Sequence, residues 1–344
     1  MDKIARELVR KLKRGKVVGS YPCAQATAEL LYTAVSTTRW KNAKDLIEEI
    51  KFLGDLLTDA KPEELVIGNI LKRVLFIVRD EYSNLKEMAT EEQKQKRPGG
   101  GIVDILEERQ EETYDQNHAS LKTNILEGIT ELMDEIKTSY ENVSEQAIDH
   151  IHANEVIMTF GLSRTVEAFL KEAFGKGKKR NFQCIVAEAA PGCGGREMAK
   201  ILAEEGIETT LIPDSAIYAM MARVNKVIVG THSVMANGGL LALAGTNLLA
   251  QAAHYHSVPV MICTALYKLC PIYPADHDLE LRSPSEIIPF EEVAGPMADV
   301  TVINPAWDYV PPELVSLYIT NSGGHNPTYI YRLLSEFYHP DDNE

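Results

Sequence analysis

Val156-Ile157-Met158-Thr159-Phe160-Gly161-Leu162-Ser163-Arg164 is an apolar, β-branched run that stops at a glycine and passes through a serine into a helical pattern. Val227-Ile228-Val229-Gly230-Thr231-His232 repeats the first half of that design. Runs of the same kind occur at Glu155–Phe160, Phe182–Ala187, Glu208–Ile212, Lys226–Gly230, Val258–Ala265 and Val300–Ile303. Between most of them lie helical stretches such as Arg164–Phe174 and Glu197–Glu205. Strands alternating with helices at this spacing predict an α/β domain, a Rossmann-like doubly wound parallel sheet covered on both faces. Ligands of such sheets bind beyond the carboxyl ends of the strands, so the loops that follow them are where chemistry belongs. The loops at Gly161 and Gly230 offer no thiol, carboxylate or lysine.

The loop after the second run, Glu188-Ala189-Ala190-Pro191-Gly192-Cys193-Gly194-Gly195-Arg196, is glycine-rich but lacks the G-x-G-x-x-G spacing of a dinucleotide site, and no cofactor is expected. Ser163, Arg164 and Asn237 are the residues that could hold a small anion, with free amides near Gly161. The plainer reading has Ser163 capping the helix and Arg164 pairing with an acid. His150, His152 and Glu155 imitate metal ligands, but they straddle a helix-to-strand junction with no fourth ligand in sequence reach. His254 and His256 close a helix, where the dipole favours histidine. No metal is expected.

Towards the N-terminus the rhythm is helical. Ile4, Leu8 and Leu12 recur every four residues, and Trp40, Ala43, Leu46, Ile47, Ile50, Leu53 and Leu57 follow 3.6-residue spacing, as do Ile67, Ile70, Leu71, Val74, Ile77 and Val78. Polar residues 89–101 read as a loop, and Leu121, Ile125, Ile129, Leu132 and Ile136 as a long amphipathic helix. The expected division is a helical domain over 1–115, a connecting helix over 116–150 and the Rossmann-like domain over 151–344.

Charge and composition narrow the partners. The net charge of −15 is uneven: residues 1–100 hold 19 lysines and arginines against 15 acids, residues 101–150 hold 3 against 13. An acidic chain argues against nucleic acid, whose binding depends on phosphate neutralisation, and the basic run Arg10–Lys16 reads as a solvated helix face. The longest apolar stretch, Gly239 to Ala253, is shorter than the roughly 20 residues of a membrane span and reads as a buried helix. No apolar signal region follows Met1, and the five cysteines form no C-x-x-C pair, which suits a reducing cytosol.

Asn237-Gly238, Gly245-Thr246, Ala252-Ala253-x-x-His256 and Asp308-Tyr309-Val310-Pro311-Pro312 form a frame that resembles one family. It joins methylthioribose-1-phosphate and ribose-1,5-bisphosphate isomerases to the regulatory subunits of eukaryotic translation initiation factor 2B. Ile151–Thr159, Ser163–Ala173, Arg223–Ile228, Tyr329–Arg332 and His339–Asp342 are most similar to its beta branch. The resemblance implies that Gly161 stands where the isomerases carry a cysteine and His232 where they carry an aspartate. Ala242 and Leu243 stand for an asparagine and a lysine, and Ala190 for an arginine. Proton transfer at a sugar needs groups that give and take protons near neutral pH, so no catalytic residue is expected. The implied role is that of a non-catalytic subunit paired with delta and joined to alpha, gamma and epsilon subunits in a decamer. That assembly recycles translation initiation factor 2 from its GDP to its GTP form. This chain would help bind the substrate's alpha subunit and transmit its phosphorylation as inhibition, with His152 and Asn154 as candidate subunit or regulatory-ligand contacts. The alternatives are a sugar-phosphate isomerase using His232 or Cys193, and a sensor of a phosphorylated metabolite.

Overall fold

A computed structural model describes residues 2–96, 114–115, 120–175, 180–276, 280–293 and 299–342. Helices α1 (Asp2–Lys13), α2 (Ser20–Thr37), α3 (Ala43–Thr58) and α4 (Leu65–Lys96) open the chain. They are followed by α5 (Leu121–Glu145) and the single turn α6 (Ala147–His150). The periodic residues are those that pack: Leu46, Ile50, Leu57, Ile67, Ile70, Val74, Ile125 and Ile129 are all buried. Asn42 caps α3 by accepting from the Asp45 amide at 2.9 Å. Helix α4 runs on to Lys96, so residues 89–96 are not the loop that their polarity suggested. Glutamate, lysine and glutamine are good helix formers, and polarity alone does not end a helix. The rest of that expected loop, 97–101, lies outside the described residues.

The second half alternates as anticipated: β1 (Val156–Phe160), α7 (Arg164–Phe174), β2 (Gln183–Ala187), α8 (Gly194–Glu204), β3 (Glu208–Ile212), α9 (Ile217–Met221) and β4 (Lys226–Gly230). Then come β5 (Ser233–Val234), β6 (Leu240–Leu243), α10 (Thr246–Tyr255), β7 (Val260–Cys263), β8 (Trp307–Val310), β9 (Leu317–Thr320), β10 (Gly323–His325) and α11 (Ile330–Phe337). The main sheet has the order β10-β9-β7-β4-β1-β2-β3, parallel except for β10. Strand order reverses between β1 and β4, which places the loops at Gly161 and Thr231 side by side at the switch point. Phe169, Leu170, Met198 and Leu202 from the helices bury against Ile157, Cys184, Val186 and Ile228 of the strands.

Two further expectations fail. Val300–Ile303 is not a strand; the last parallel strand is β9, and Val300 and Ile303 are exposed. A β-branched run becomes a strand only when a neighbour accepts its hydrogen bonds. The stretch Gly239–Ala253 is not one helix, since Leu240–Leu243 pairs antiparallel with β8 in a small β5-β6-β8 sheet. Gly245, at φ +101°, makes the break, and helix α10 begins after it. A short apolar run does not distinguish strand from helix by period.

The chain forms two compact units, residues 1–137 with 335–344, and residues 138–334. This differs from divisions at 115 and 150: the boundary falls inside α5, and the last ten residues join the helical unit. The reason lies in a buried ion pair. Asp342, with a side chain 1% exposed, receives Arg79 Nε and Nη2 at 2.9 Å each and Lys51 Nζ at 2.9 Å. Arg73 lies over the Phe337 ring at 4.4 Å and donates to its carbonyl at 3.1 Å.

Candidate functional site

At the carboxyl ends of β1 and β2 lies a cleft of about 190 Å³. Its walls are largely apolar, with Leu162, Ala189, Ala190, Leu243 and Ala306 among them, and its polar side chains are Arg282 and Asn304. Asn304 is already engaged, donating to the Ser283 carbonyl and to Glu286 at 3.0 Å each. The Arg282 guanidinium lies over the Trp307 ring at 5.1 Å. Neither residue was found from the sequence, because both sit in a segment without periodicity and outside the strand-end loops.

Gly161 borders this cleft, and its surroundings are filled. A Cβ at 161 would stand 2.9 Å from Leu243 Cδ2 and 3.3 Å from Ala189 Cβ. Glycine at 161 and leucine at 243 therefore fit one another, and a longer side chain at 161 would have to displace Leu243. Ala242 is buried opposite Asp308 in the small sheet. His232 is buried and stacked on Trp307 at 3.9 Å with the ring planes 16° apart, outside the cleft wall. The Thr231 hydroxyl bonds the Leu241 and Ser233 carbonyls, and Lys268 Nζ donates to the Thr231 carbonyl at 2.7 Å. The loop after β4 is thus closed by its own hydrogen bonds.

The three anion candidates take local partners. Ser163 caps α7, its Oγ accepting from the Val166 amide. Arg164 lies over the Tyr140 ring at 4.4 Å. Asn237 donates to the Tyr309 hydroxyl at 2.7 Å and accepts from the Gly239 amide at 3.0 Å. None of the three lines the cleft. Of the amides expected near Gly161, its own donates to the Ala187 carbonyl at 3.2 Å, and in the neighbouring loop those of Ala189 and Ala190 are taken by the Asp214 carboxylate at 2.8 and 2.7 Å. Asp308 accepts from the amides of Gly245 and Asn247, capping α10. Asp308, Gly245 and the Asn237–Tyr309 pair therefore serve as scaffolding in this fold.

The thiols offer no nucleophile in the sheet, since burial pushes Cys184 up to about 12 and Cys263 higher still. Cys193 is half-buried and does not line the cleft. Around His152, Glu155 is held by Lys226 at 3.0 Å and by the His152 amide at 2.8 Å. Arg180 Nη1 reaches His152 Nδ1 at 2.9 Å, and an arginine can only donate, so that nitrogen accepts. Burial against Phe169 pushes the His150 imidazole below its ordinary value. Among the described residues no three His, Cys, Asp or Glu side chains come together as a metal site, and no helix is long and apolar enough to cross a membrane.

Asn154, at φ +64°, holds the tip of the loop before β1, with its amide on the Asn181 carbonyl at 2.6 Å and its side chain exposed. His152 is exposed beside it. A second and larger groove, about 530 Å³, opens where α9 and α10 meet. Tyr218, Leu248 and Tyr255 line it with Asp214, Gln251 and His254. Its aromatic residues are exposed, Tyr255 to 73%, and the nearby His256 Nε2 is buried without a hydrogen-bond partner.

Comparison with known proteins agrees with this architecture. Residues 16–327 match the model of the initiation factor 2 subunit family. The chain is 47% identical to the translation initiation factor eIF2B subunit beta of Dictyostelium discoideum, over 96% of this chain and 94% of that protein. It is 28% identical to the ribose 1,5-bisphosphate isomerase of Pyrococcus furiosus, over 96% and 93%. The crystal structure of eIF2B beta from Chaetomium thermophilum superposes with a TM-score of 0.74 at 29% identity, covering 98% of this chain and 91% of that one. The tetrameric eIF2B-beta2-delta2 complex from C. thermophilum contains a chain that matches at 0.72 and 30%, covering 97% and 94%. With its doubly wound sheet, its helical N-terminal unit and a match over nearly its whole length, the chain belongs to the initiation factor 2 subunit family, in its eIF2B beta branch.

Proposed function

We propose that this chain is a non-catalytic regulatory subunit of the cytosolic guanine nucleotide exchange factor that returns translation initiation factor 2 from its GDP to its GTP form. The observation that carries the reading is the cleft at the switch point. Its walls are apolar, its one engaged amide is Asn304, and no carboxylate, thiol or imidazole lines it. General acid–base chemistry on a sugar phosphate needs such a group within hydrogen-bond reach. The fold is retained while the cleft carries no acid or base, as suits a scaffold for partners. In this reading the subunit pairs with delta, joins alpha, gamma and epsilon, helps grip the substrate's alpha subunit and mediates inhibition by its phosphorylation. The purified chain should show no turnover of ribose 1,5-bisphosphate above background; turnover that vanishes in His232→Ala would revive the isomerase reading.

Pairing with the delta-type subunit is assigned to the sheet unit, with the exposed His152 and Asn154 and the Tyr218–Leu248–Tyr255 groove as its contacts. The Tyr218 and Tyr255 rings lie 5.4 Å apart, a rigid aromatic anchor of the kind that dominates interfaces. Co-expressed with a delta-type subunit, Tyr255→Glu should reduce the recovered complex at least tenfold, about 1.4 kcal/mol or more, without lowering the melting temperature of the chain. Undiminished recovery would remove the groove from the interface. The function itself is tested by adding the reconstituted assembly to GDP-loaded factor 2: omission of this chain should abolish the sensitivity of GDP release to phosphorylation of the substrate.

A further inference from the structure

The excursion between β7 and β8 carries an unusual surface. Leu281, Ile287, Phe290, Val293, Val300 and Ile303 are six of the eighteen large hydrophobic side chains exposed in the described chain. Phe290 is 77% exposed, the highest of all of them. The exposed side chains at 287–293 sit on or beside two 3-10 turns, Pro284–Glu286 and Phe290–Glu292, each too short to turn an apolar face inward. The segment is nevertheless held at its base. Leu281 bridges to Pro305, the Arg282 amide donates to the Asn304 carbonyl at 2.7 Å, and the Ala306 amide donates to the Glu280 carbonyl at 2.9 Å. Asn304 adds its two bonds to Ser283 and Glu286, and Trp307 Nε1 donates to Glu280 at 2.8 Å. The apolar side chains are presented by a fixed frame, which lowers the entropy lost when something covers them. Exposure of this density on a folded chain marks an interaction site.

Charge selects the occupant. Glu280, Glu286, Glu291, Glu292 and Asp299 stand here against the single cation Arg282. Glu291, Glu292 and Asp299 make no ion pair among the described residues. A purely apolar partner would bury these carboxylates unpaired, at several kcal/mol each by the ordinary cost of desolvating an ion. An anionic partner, whether nucleic acid or acidic lipid, meets the wrong sign. A protein surface with lysines and arginines set among apolar side chains satisfies both requirements.

We propose that residues 280–293 and 299–306 form a second docking surface, which takes a lysine- and arginine-bearing apolar segment of another subunit of the same assembly. The inference rests on the assembly reading above, and it assigns this surface to a subunit other than the delta-type partner, which the Tyr255 groove takes. The test uses the full chain within the assembly purified from cells. A photo-cross-linking benzoylphenylalanine is placed at Phe290 in one sample and at Tyr255 in another, and the linked peptides are identified by mass spectrometry. Position 290 should link to a segment of net positive charge, on a subunit that position 255 does not reach. The exposed double variant Glu291→Lys/Glu292→Lys should keep the wild-type melting temperature. It should hold that subunit at least tenfold more weakly at about 0.1 M salt, with the difference closing towards about 1 M. Linkage to another copy of this chain, to a neutral or acidic segment, or to no subunit would overturn the proposal, as would unchanged retention by the double variant. If that happens while Tyr255→Glu still sheds the delta-type subunit, the docking surface falls and the assembly reading stands.

Discussion

Asp342→Asn should cost the helical unit about 3 kcal/mol at pH 7, the lower end of what breaking a buried ion pair costs. The variant keeps one side-chain acceptor at 342 but leaves the buried Arg79 guanidinium without its charged partner there, with only the Tyr114 hydroxyl at 2.9 Å and the exposed Asp341 carboxylate at 3.6 Å beside it. Lys51→Ala removes a half-exposed partner of the same carboxylate and should cost no more than about 1 kcal/mol. Burial alone would raise the Asp342 carboxyl, but hydrogen bonds from Arg79 and Lys51 outweigh it and hold it below its ordinary value. Its contribution is therefore complete above the unfolded carboxyl value of about 3.9. It is lost as pH falls through the depressed folded value, because the unfolded chain takes up the proton first. The difference between wild type and Asp342→Asn should be flat from about pH 5 to 8 and narrow below about pH 4. Denaturant unfolding followed by hydrogen exchange in α4 measures it. A difference that grows on acidification, or a variant as stable as wild type at pH 7, would show that the pair does not anchor these residues.

That pair also marks where sequence reading stops. The parallel sheet was legible because buried strands are written as β-branched runs, and five of the six runs pair as strands. The loops at Gly161 and Thr231 were legible as strand-end loops, but that they meet at a switch point required the strand order. The helical unit was legible from its 3.6-residue period. What could not be read was long-range and polar. Nothing local links Arg79 to Asp342, or Asp214 to the amides of Ala189 and Ala190. Val300–Ile303 and Leu240–Leu243 misled for a related reason, because an apolar run states that it will be buried or paired, not by what. Ser163 as a helix cap was legible, since its hydroxyl needs only the next turn. Arg282 and Asn304 reach the cleft from an irregular segment whose path no period encodes.

Gly195→Ala should be the most damaging single methyl group in the sheet unit. The added Cβ would lie 2.1 Å from the Ala187 carbonyl oxygen and 2.8 Å from the Glu188 Cα, both backbone atoms at the end of β2. No rotamer relieves that contact, because the obstacle is main chain and the intruding atom is fixed to main chain. Helix α8 would have to lift from the sheet, loosening Met198 and Leu202, which are fully buried in the core beneath it. It would also pull the Gly195 amide from the Glu188 carbonyl, now at 2.9 Å. Overpacking ordinarily costs about 1–3 kcal/mol, and a clash of backbone against backbone belongs at or beyond the upper end. For a unit of this size a loss of about 3 kcal/mol lowers the melting temperature by roughly 6–12 °C. Gly192→Ala is the control, three residues earlier in the same loop. Its Cβ meets nothing within 4 Å, so it should stay within about 0.5 kcal/mol of wild type. Calorimetry of both variants decides the matter: equal melting temperatures would mean that α8 does not rest on β2 at this glycine. Because the same loop forms one wall of the cleft, Gly195→Ala should also open that wall and expose the Ala189 and Ala190 amides that Asp214 now holds. The tight seat of α8 on the sheet is thus what sets the wall of the cleft at residues 189–194, so the stability of the scaffold and the shape of its cleft depend on the same glycine.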